Sequence, residues 1–301
     1  MLPNPAPSPI ERTLRNGLTL RGLSWGDPQS PGLLALHGWL DNAATYHYLA
    51  PALAQCFHVV ALDFAGHGLS SHRPDGVRYH LLDNVDDVVL FADALGWKHF
   101  HLIGHSMGAG VATYVTASFP DRIVSLALLE GIGTHSTDPV DAPNVLRKAV
   151  KDMERAPDIR KPVYATLEEA VTARTSVVGA ISKTAARILC ERGTHLVEPG
   201  NPAAGITWTS DPRLKMTSAL RLTESLVSAF VANIQRPVIF VGGEQGFGPR
   251  LPALDARLAL LQDLTRVMLP GHHHLHLEEE TSAAVSEALL AFYAGLNYAQ
   301  S

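Results

Sequence analysis

The chain has 301 residues, a formal net charge of −5 and a hydrophobic fraction of 46%. This length suits one large α/β domain with an insertion. Since no run of lysines or arginines provides a concentrated positive footprint, the charge argues against a nucleic-acid or anionic-membrane surface. We therefore expect a neutral or apolar small molecule as the partner, no insertion into a membrane, and a monomer or homodimer.

The cysteine content and the N-terminal sequence bear on the cellular compartment of the protein. Cys56 and Cys190 are too few for a disulfide framework and lack the Cys-x-x-Cys spacing of metal or redox sites, so we expect two buried thiols. Residues 1–9 are rich in proline and lack the basic and apolar regions of a secretory signal. The sequence has no run of about 18 uninterrupted apolar residues, so a cytoplasmic location is expected.

The first part of the chain alternates between strand and helix patterns. Asn16-Gly17 between two short strand-like segments predicts an opening β-hairpin. Short apolar runs then alternate with helical stripes, which indicates a mostly parallel, doubly wound sheet with crossover helices. The predicted strands are Gly32–Leu36, Phe57–Leu62, Phe100–Ile103 and Ile123–Leu129, and the predicted helices are Ala44–Ala54, Asp83–Leu95 and a third from Val111.

The alternation stops after Glu130. Residues 131–231 contain helical stretches without a convincing buried strand, so we predict a helical lid inserted between two core segments, 1–130 and 232–301. The predicted lid helices are Val145–Met153, Leu167–Val178 and Lys183–Arg192. The core resumes with a strand at Val238–Val241, a helix at Leu251–Leu261, a strand at Val267–Leu269 and a final helix at Thr281–Ala294.

The segment Gly104-His105-Ser106-Met107-Gly108 is a Gly-x-Ser-x-Gly turn between a predicted strand and a predicted helix. Glycines at both ends remove Cβ atoms that would collide on a sharp turn, and the turn exposes the serine hydroxyl. The N–H of Met107 lies at a helix N-terminus, where unpaired donors favour developing negative charge. The pattern predicts Ser106 as a nucleophile.

Four segments together carry a resemblance to a known family: His37-Gly38-Trp39, the glycine-punctuated loop from Asp63 to Ser70, the Ser106 turn, and His273 to Glu278. With them the chain resembles the α/β-hydrolase superfamily, and among its branches the serine hydrolase-like proteins. The resemblance spans residues 11–130 and 232–296 and leaves the predicted lid largely uncovered, so it implies the fold and not the substrate.

Position by position, the resemblance implies Ser106 as nucleophile, His273 as base, and the N–H groups of Trp39 and Met107 as oxyanion donors. It implies a serine hydrolase that cleaves a small, largely apolar ester, thioester or lactone through an acyl-enzyme, without a cofactor. Carbon–carbon bond hydrolysis and perhydrolysis use the same residues and stay open, as does a ligand receptor that does not turn over. Dehalogenase and epoxide hydrolase chemistry needs an aspartate where this chain has serine.

The triad acid departs from the commonest pattern of the superfamily. Its usual aspartate position, after Val238–Val241 and two residues beyond Gly243-Glu244, is occupied by Gly246. Some members carry the acid at the end of the preceding core strand, which here is Glu130. We therefore predict Glu130 as the acid, and Glu244 and Asp255 are the remaining candidates.

The histidines and tryptophans admit more than one role. Neighbouring histidines at 272, 273, 274 and 276 suggest metal ligands, but adjacent side chains of an extended loop point in opposite directions, so no metal site is expected. His272 is the fallback for the base, and His37, His67 and His105 are expected to be structural. The rings of Trp39 and Trp208 are predicted to line an apolar pocket between lid and core, with plain packing as the alternative for each.

Overall fold

An eight-stranded sheet forms the centre of the protein, in a computed structural model that describes residues 6–176, 181–247 and 253–299. Its strands are β1 (Ser8–Thr13), β2 (Thr19–Trp25), β3 (Gly32–Leu36), β4 (His58–Leu62), β5 (Phe100–His105), β6 (Ile123–Leu129), β10 (Val238–Gly243) and β11 (Leu264–Leu269). Their order is β1-β2-β4-β3-β5-β6-β10-β11. The strands β1 and β2 form the predicted hairpin and pair antiparallel, whereas the strands from β4 to β11 pair parallel, as predicted.

Helices cover both faces of this sheet. They are α1 (Leu49–Leu53), α2 (Asp83–Ala94), α3 (Met107–Ser118), α7 (Glu224–Ala232), α8 (Leu254–Leu258) and α9 (Glu279–Ala299). Because side chains alternate along a strand, Leu34 and Leu36 pack with α2, α3 and α7 on one face. Leu33 and Ala35 pack with α1 and α9 on the other. The continuous apolar runs of the parallel strands are thus explained by burial on both faces.

Several predicted elements differ from the observed ones. The helix expected at Ala44–Ala54 is split into a 3-10 turn, Ala43–Tyr46, and α1, whose early Pro51 fits only the first turn of a helix because it lacks an N–H. In the described part of the helix expected at Leu251–Leu261, only Leu254–Leu258 is α-helical. Cys190 is buried, but Cys56 is exposed, contrary to expectation.

Residues 131–231, called the insert below, are not wholly helical. Their described part contains helices α4 (Ala142–Glu154), α5 (Leu167–Thr175) and α6 (Lys183–Gly193), close to the predicted ones. It also includes most of α7, which packs on the core sheet. The end predicted for α5 at residues 177 and 178 lies outside the described residues. The described part of the insert also contains an antiparallel sheet of β7 (Val163–Tyr164), β9 (Asn201–Trp208) and β8 (Thr194–Glu198). Only Gly205 and Thr207 of these strands are buried, so the strands lack the apolar runs that reveal buried strands.

The end of the insert approaches the core at Asp211, shortly after β9. The N–H of Asp211 donates to the carbonyl of Gly66 at 2.8 Å. Elsewhere, an apolar cluster joins α5 and α6 to Leu277, just before α9. No helix in the described ranges is both long and apolar enough to span a membrane.

Candidate active site

Ser106 lies on a strained turn between β5 and α3. Its φ of 53° and ψ of −114° are unusual for a residue with a side chain. A Cβ on Gly104 would lie 2.3 Å from the carbonyl oxygen of Gly108, and one on Gly108 would lie 2.2 Å from that of Leu36. Both glycines are therefore required for the strand and helix to approach. The Ser106 N–H donates to the carbonyl of Leu129 at 2.9 Å, which fixes the turn to β6.

The structure brings Ser106, His273 and Glu130 together in one hydrogen-bonded chain. The Nε2 atom of His273 lies 2.9 Å from Ser106 Oγ, and its Nδ1 atom lies 3.1 Å from Glu130 Oε2. The three side chains come from the carboxyl ends of β5, β6 and β11, where ligands bind in open α/β sheets. His272, the fallback, is exposed, as is Glu244. Asp255 pairs with Arg266 at 2.8 Å.

Two backbone amides hold the Glu130 carboxylate. The N–H of Gly243 donates to Oε1 and that of Phe247 donates to Oε2, each at 2.6 Å. Although burial favours the neutral acid, the hydrogen bonds from His273, Gly243 and Phe247 outweigh it and lower the pKa of Glu130. An ionised Glu130 accepts only, so Nδ1 of His273 must carry a hydrogen. The lone pair on Nε2 then faces the Ser106 hydroxyl.

Gly246 and Phe247 complete the surroundings of this chain. A Cβ on Gly246 would lie 2.2 Å from Glu130 Oε2, so the carboxylate fills the space that a side chain at 246 would need. The Phe247 ring stacks on the imidazole of His273 at 4.0 Å between centroids. Sequence reasoning identified the glycine as a departure from the family pattern but did not identify Phe247.

The proposed oxyanion donors come from two segments, the loop after β3 and the start of α3. Met107 begins α3, and Trp39 lies in a turn closed by the Asp41 N–H, which donates to the Gly38 carbonyl at 3.1 Å. Leu40, in this turn, has a φ of 61°. Among the described residues, the N–H groups of Trp39 and Met107 have no hydrogen-bond acceptor in the protein. Both amides are therefore available to a ligand atom.

Buried polar residues fix the loop that carries this turn. His37 Nδ1–H donates to the Gly38 carbonyl at 2.7 Å, and its Nε2 accepts from the Phe64 N–H at 3.0 Å, contacts of a structural histidine. Asp63 Oδ1 accepts from the Ala43 N–H at 2.7 Å. The Asp63 carboxylate also pairs with Arg192 of the insert at 2.7 Å. The loop is thus fixed from the core and from the insert.

One group of side chains has the spacing of metal ligands. Asp41, His105 and His274 are buried and place ligand atoms within 4.8 Å of one another. However, the Nη2 atom of Arg174 lies 2.7 Å from Asp41 Oδ1 and 3.4 Å from His274 Nε2. A fixed positive charge therefore already balances Asp41, and a divalent cation beside it would be repelled.

The contacts of the two tryptophans differ from each other. The Trp39 side chain is 46% exposed and its ring N–H donates to the Leu214 carbonyl of the insert at 3.1 Å. Trp208 Nε1–H donates to the Tyr164 hydroxyl at 3.2 Å, and its ring packs on the cluster that contains Leu277. These are the contacts of the packing alternative for Trp208. The two described cavities, of about 440 and 450 Å³, are lined by other residues of the insert, so the apolar pocket stays a prediction.

Comparisons with known proteins agree with the fold. The α/β-hydrolase fold family matches residues 31–159. A serine hydrolase-like protein of Dictyostelium discoideum is 32% identical over 286 residues, which cover 92% of this chain and 79% of that protein. The chain belongs to the serine hydrolase-like family. A solved hypothetical protein from Pseudomonas aeruginosa PAO1 is 42% identical to this family member, with a TM-score of 0.88 over 96% of this chain and 100% of the other.

A solved thioesterase domain from the curacin biosynthetic pathway is also similar to this serine hydrolase-like protein. It is 26% identical, with a TM-score of 0.79, and the match covers 95% of this chain and all of that domain (100%). The match to the fold family contains Ser106 and Glu130 but ends before His273 and Gly246. The grouping of these four residues is therefore an observation of geometry.

Proposed function

We propose that this serine hydrolase-like protein cleaves small, largely apolar carboxylic esters, thioesters or lactones through an acyl-enzyme. The observation that carries the proposal is the continuous chain from Glu130 through His273 to Ser106, with hydrogen bonds of 3.1 and 2.9 Å. A hydroxyl, an imidazole with its acceptor nitrogen towards that hydroxyl, and a carboxylate that holds the imidazole are the groups that acyl transfer needs.

Each residue has a role in the proposed reaction. His273 Nε2 takes the hydroxyl proton as Ser106 Oγ attacks the carbonyl carbon, and Glu130 stabilises the imidazolium that forms. The N–H groups of Trp39 and Met107 stabilise the negative oxygen. His273 then protonates the leaving group, which leaves an acyl-enzyme on Ser106. Water, deprotonated by the same imidazole, releases the acid and restores the serine.

The substrate class follows from the nucleophile and from the surroundings. An attacking serine forms an acyl ester, so the electrophile is a carbonyl carbon. The exposed Trp39 ring, on the loop that carries a proposed oxyanion donor, favours apolar groups. Similarity to a thioesterase domain supports thioesters within this class. We treat the insert as the lid of the proposed site, because Trp39 bonds to its Leu214 carbonyl.

The test is covalent labelling of the purified protein by a fluorophosphonate, together with hydrolysis of short-chain nitrophenyl esters. The wild-type protein should gain one label, on Ser106, and hydrolyse the esters. Ser106→Ala should lose the label and lower ester turnover by at least about 10³-fold. Ser118→Ala is the matched control, because this exposed serine ends the same helix.

Two outcomes would decide against the proposal. Equal ester rates for the wild type and Ser106→Ala, without any label, would favour a ligand receptor. Labelling of another residue in both proteins would assign the nucleophile elsewhere.

A further inference from the structure

Arg174 connects the insert to a loop of the candidate active site. It lies in α5, is 8% exposed, and its Nη2 donates to Asp41 Oδ1 at 2.7 Å. Asp41 ends the turn that carries the Trp39 amide. A side chain from the insert is thus bonded to the turn that holds a proposed oxyanion donor.

The second oxygen of Asp41 faces the loop of His273, residues 270–278, called the histidine loop. His274 Nε2 donates to Asp41 Oδ2 at 3.3 Å. His105, beside Ser106, donates from Nε2 to the His273 carbonyl at 2.9 Å, and its Nδ1 lies 3.8 Å from Asp41 Oδ2. Asp41 therefore lies where the Trp39 turn, the nucleophile turn and the histidine loop meet.

Arg174 supplies the positive charge that this junction needs. Burial alone would raise the pKa of Asp41, but the guanidinium of Arg174, with His274, holds that pKa well below its usual range. Burial also lowers the pKa of His105 and of His276 well below the usual value, so these imidazoles are neutral and cannot balance a carboxylate. Removing one partner of a buried ion pair leaves an uncompensated charge and costs far more than the intact pair contributes.

We propose that Arg174 is a positioning residue of the insert that, through Asp41, holds the Trp39 turn and the histidine loop in the geometry required for attack by Ser106. The inference rests on the proposed serine hydrolase function. If the proposal is correct, hydrolysis depends on Arg174, which holds the loops in place and does not contact the reacting atoms. Reactivity then requires the insert to be docked with Arg174 on Asp41.

The pair also has an electrostatic effect on His273. The titratable groups that surround His273 are Glu130 at the end of β6, His105 at the end of β5, Asp41 in the Trp39 turn, and His274 and His276 in the histidine loop. Burial lowers the pKa of His273, and Asp41 is one of the groups that raise it. The Arg174 charge, 2.7 Å from Asp41, should offset part of the Asp41 effect. Loss of Arg174 alone should therefore raise the pKa of His273, because the Asp41 charge would no longer be offset.

The experiment measures the rate of fluorophosphonate labelling of Ser106 between pH 5 and 8, which needs no knowledge of the natural substrate. Arg174→Met should lower the maximal labelling rate about tenfold to a hundredfold, with less than about a threefold change in reagent affinity, because small displacements cost rate. The acidic limb of its pH–rate profile should move to higher pH. Asp41→Asn/Arg174→Met should return the limb to the wild-type position, because the charge and its partner are both removed.

Two further variants separate positioning from folding. Arg174→Lys keeps the charge and should keep the wild-type limb, even if part of the maximal rate is lost. Arg187→Met is the matched control, because Arg187 is a half-exposed arginine of the insert that pairs with Glu168 of the same insert. This variant should leave the labelling rate and the acidic limb of the pH–rate profile unchanged. NMR titration of the His273 ring gives the same pKa comparison without any reaction.

The inference would be overturned if Arg174→Met left both the acidic limb of the pH–rate profile and the NMR titration of His273 unchanged. An equal loss of labelling rate in Arg187→Met would also overturn it. Loss of labelling on treatment with a chelator would do so too, because it would assign the junction to a metal ion. Absence of labelling in the wild type would instead contradict the proposed function, and the His273 titration would still test the Arg174–Asp41 pair.

Discussion

Replacement of Glu130 by glutamine tests the proposed triad acid, because the structure leaves the amide no satisfactory orientation. With its NH₂ group in the place of Oε2, the amide would face two donors, the Phe247 N–H at 2.6 Å and His273 Nδ1 at 3.1 Å. His273 would then adopt the other tautomer, whose Nε2 carries the hydrogen and cannot accept the Ser106 proton. In the reverse orientation the NH₂ group faces the Gly243 N–H, which lies 2.6 Å from Oε1.

The size of the effect follows from two contributions. In the reactive tautomer the hydrogen on His273 Nδ1 would face the amide NH₂ group, and a buried donor left without an acceptor costs about 1–3 kcal/mol. Loss of the carboxylate charge beside the imidazolium costs about 4 kcal/mol at an effective dielectric constant near 20. The two together are about 5–7 kcal/mol, and each tenfold change in rate corresponds to about 1.36 kcal/mol. We therefore expect Glu130→Gln to lower kcat by about 10⁴-fold.

The assay is nitrophenyl ester turnover with folding checked by circular dichroism. Glu244→Gln and Asp255→Asn are the controls, since Glu244 is exposed and Asp255 pairs with Arg266 on the surface. Each should change kcat by less than about tenfold. If Glu244→Gln is the damaging substitution and Glu130→Gln is mild, the acid lies near its usual strand and the assignment of Glu130 is wrong.

Two other predictions concern pH and the insert. Burial lowers the pKa of His273 below the usual 6.5, although Glu130 raises it, so kcat/KM should fall with decreasing pH through a midpoint below 6.5; a midpoint above 7 would contradict this. Melting temperatures should be measured alongside, because protein stability also depends on pH. Burial lowers the pKa of His37 to about 4 in the folded protein, so as pH falls the unfolded chain binds a proton before the folded one does. Stability therefore decreases as pH falls below about 6.5. Trp208→Ala should lower the melting temperature without changing the preference among acyl chain lengths, whereas a changed preference would show that the ring lines the pocket.

The fold was largely predictable because its parallel strands are buried on both faces. The runs Gly32–Leu36 and Ile123–Leu129 are apolar apart from Ser125, and the observed strands have the same bounds. The small sheet of the insert was missed because only Gly205 and Thr207 of β9 are buried and neither is a large apolar residue. Its strands are held by pairing with one another, which leaves little trace in hydrophobic periodicity.

The geometry of the candidate site was predictable only where local sequence determines it. The turn at Ser106 is specified by glycines two residues away on each side, so its position could be read from the chain. The contact of Arg174 with Asp41 joins residues 133 positions apart. A buried arginine on a helix with many charged residues has no pattern that distinguishes it from an exposed one, so this pair required the structure.

Glu130 and Gly246 show why the triad acid could be assigned even though the usual aspartate at position 246 is missing. Two side chains cannot occupy the space beside His273 Nδ1, because a Cβ at position 246 would lie within 2.4 Å of the Glu130 carboxyl carbon and both its oxygens. A carboxylate at the end of β6 therefore requires glycine at 246, and glycine at 246 leaves room for that carboxylate. The amides of Gly243 and Phe247, on either side of position 246, then donate to Glu130. The loop after β10 thus still binds the acid, although the acid itself comes from the neighbouring strand.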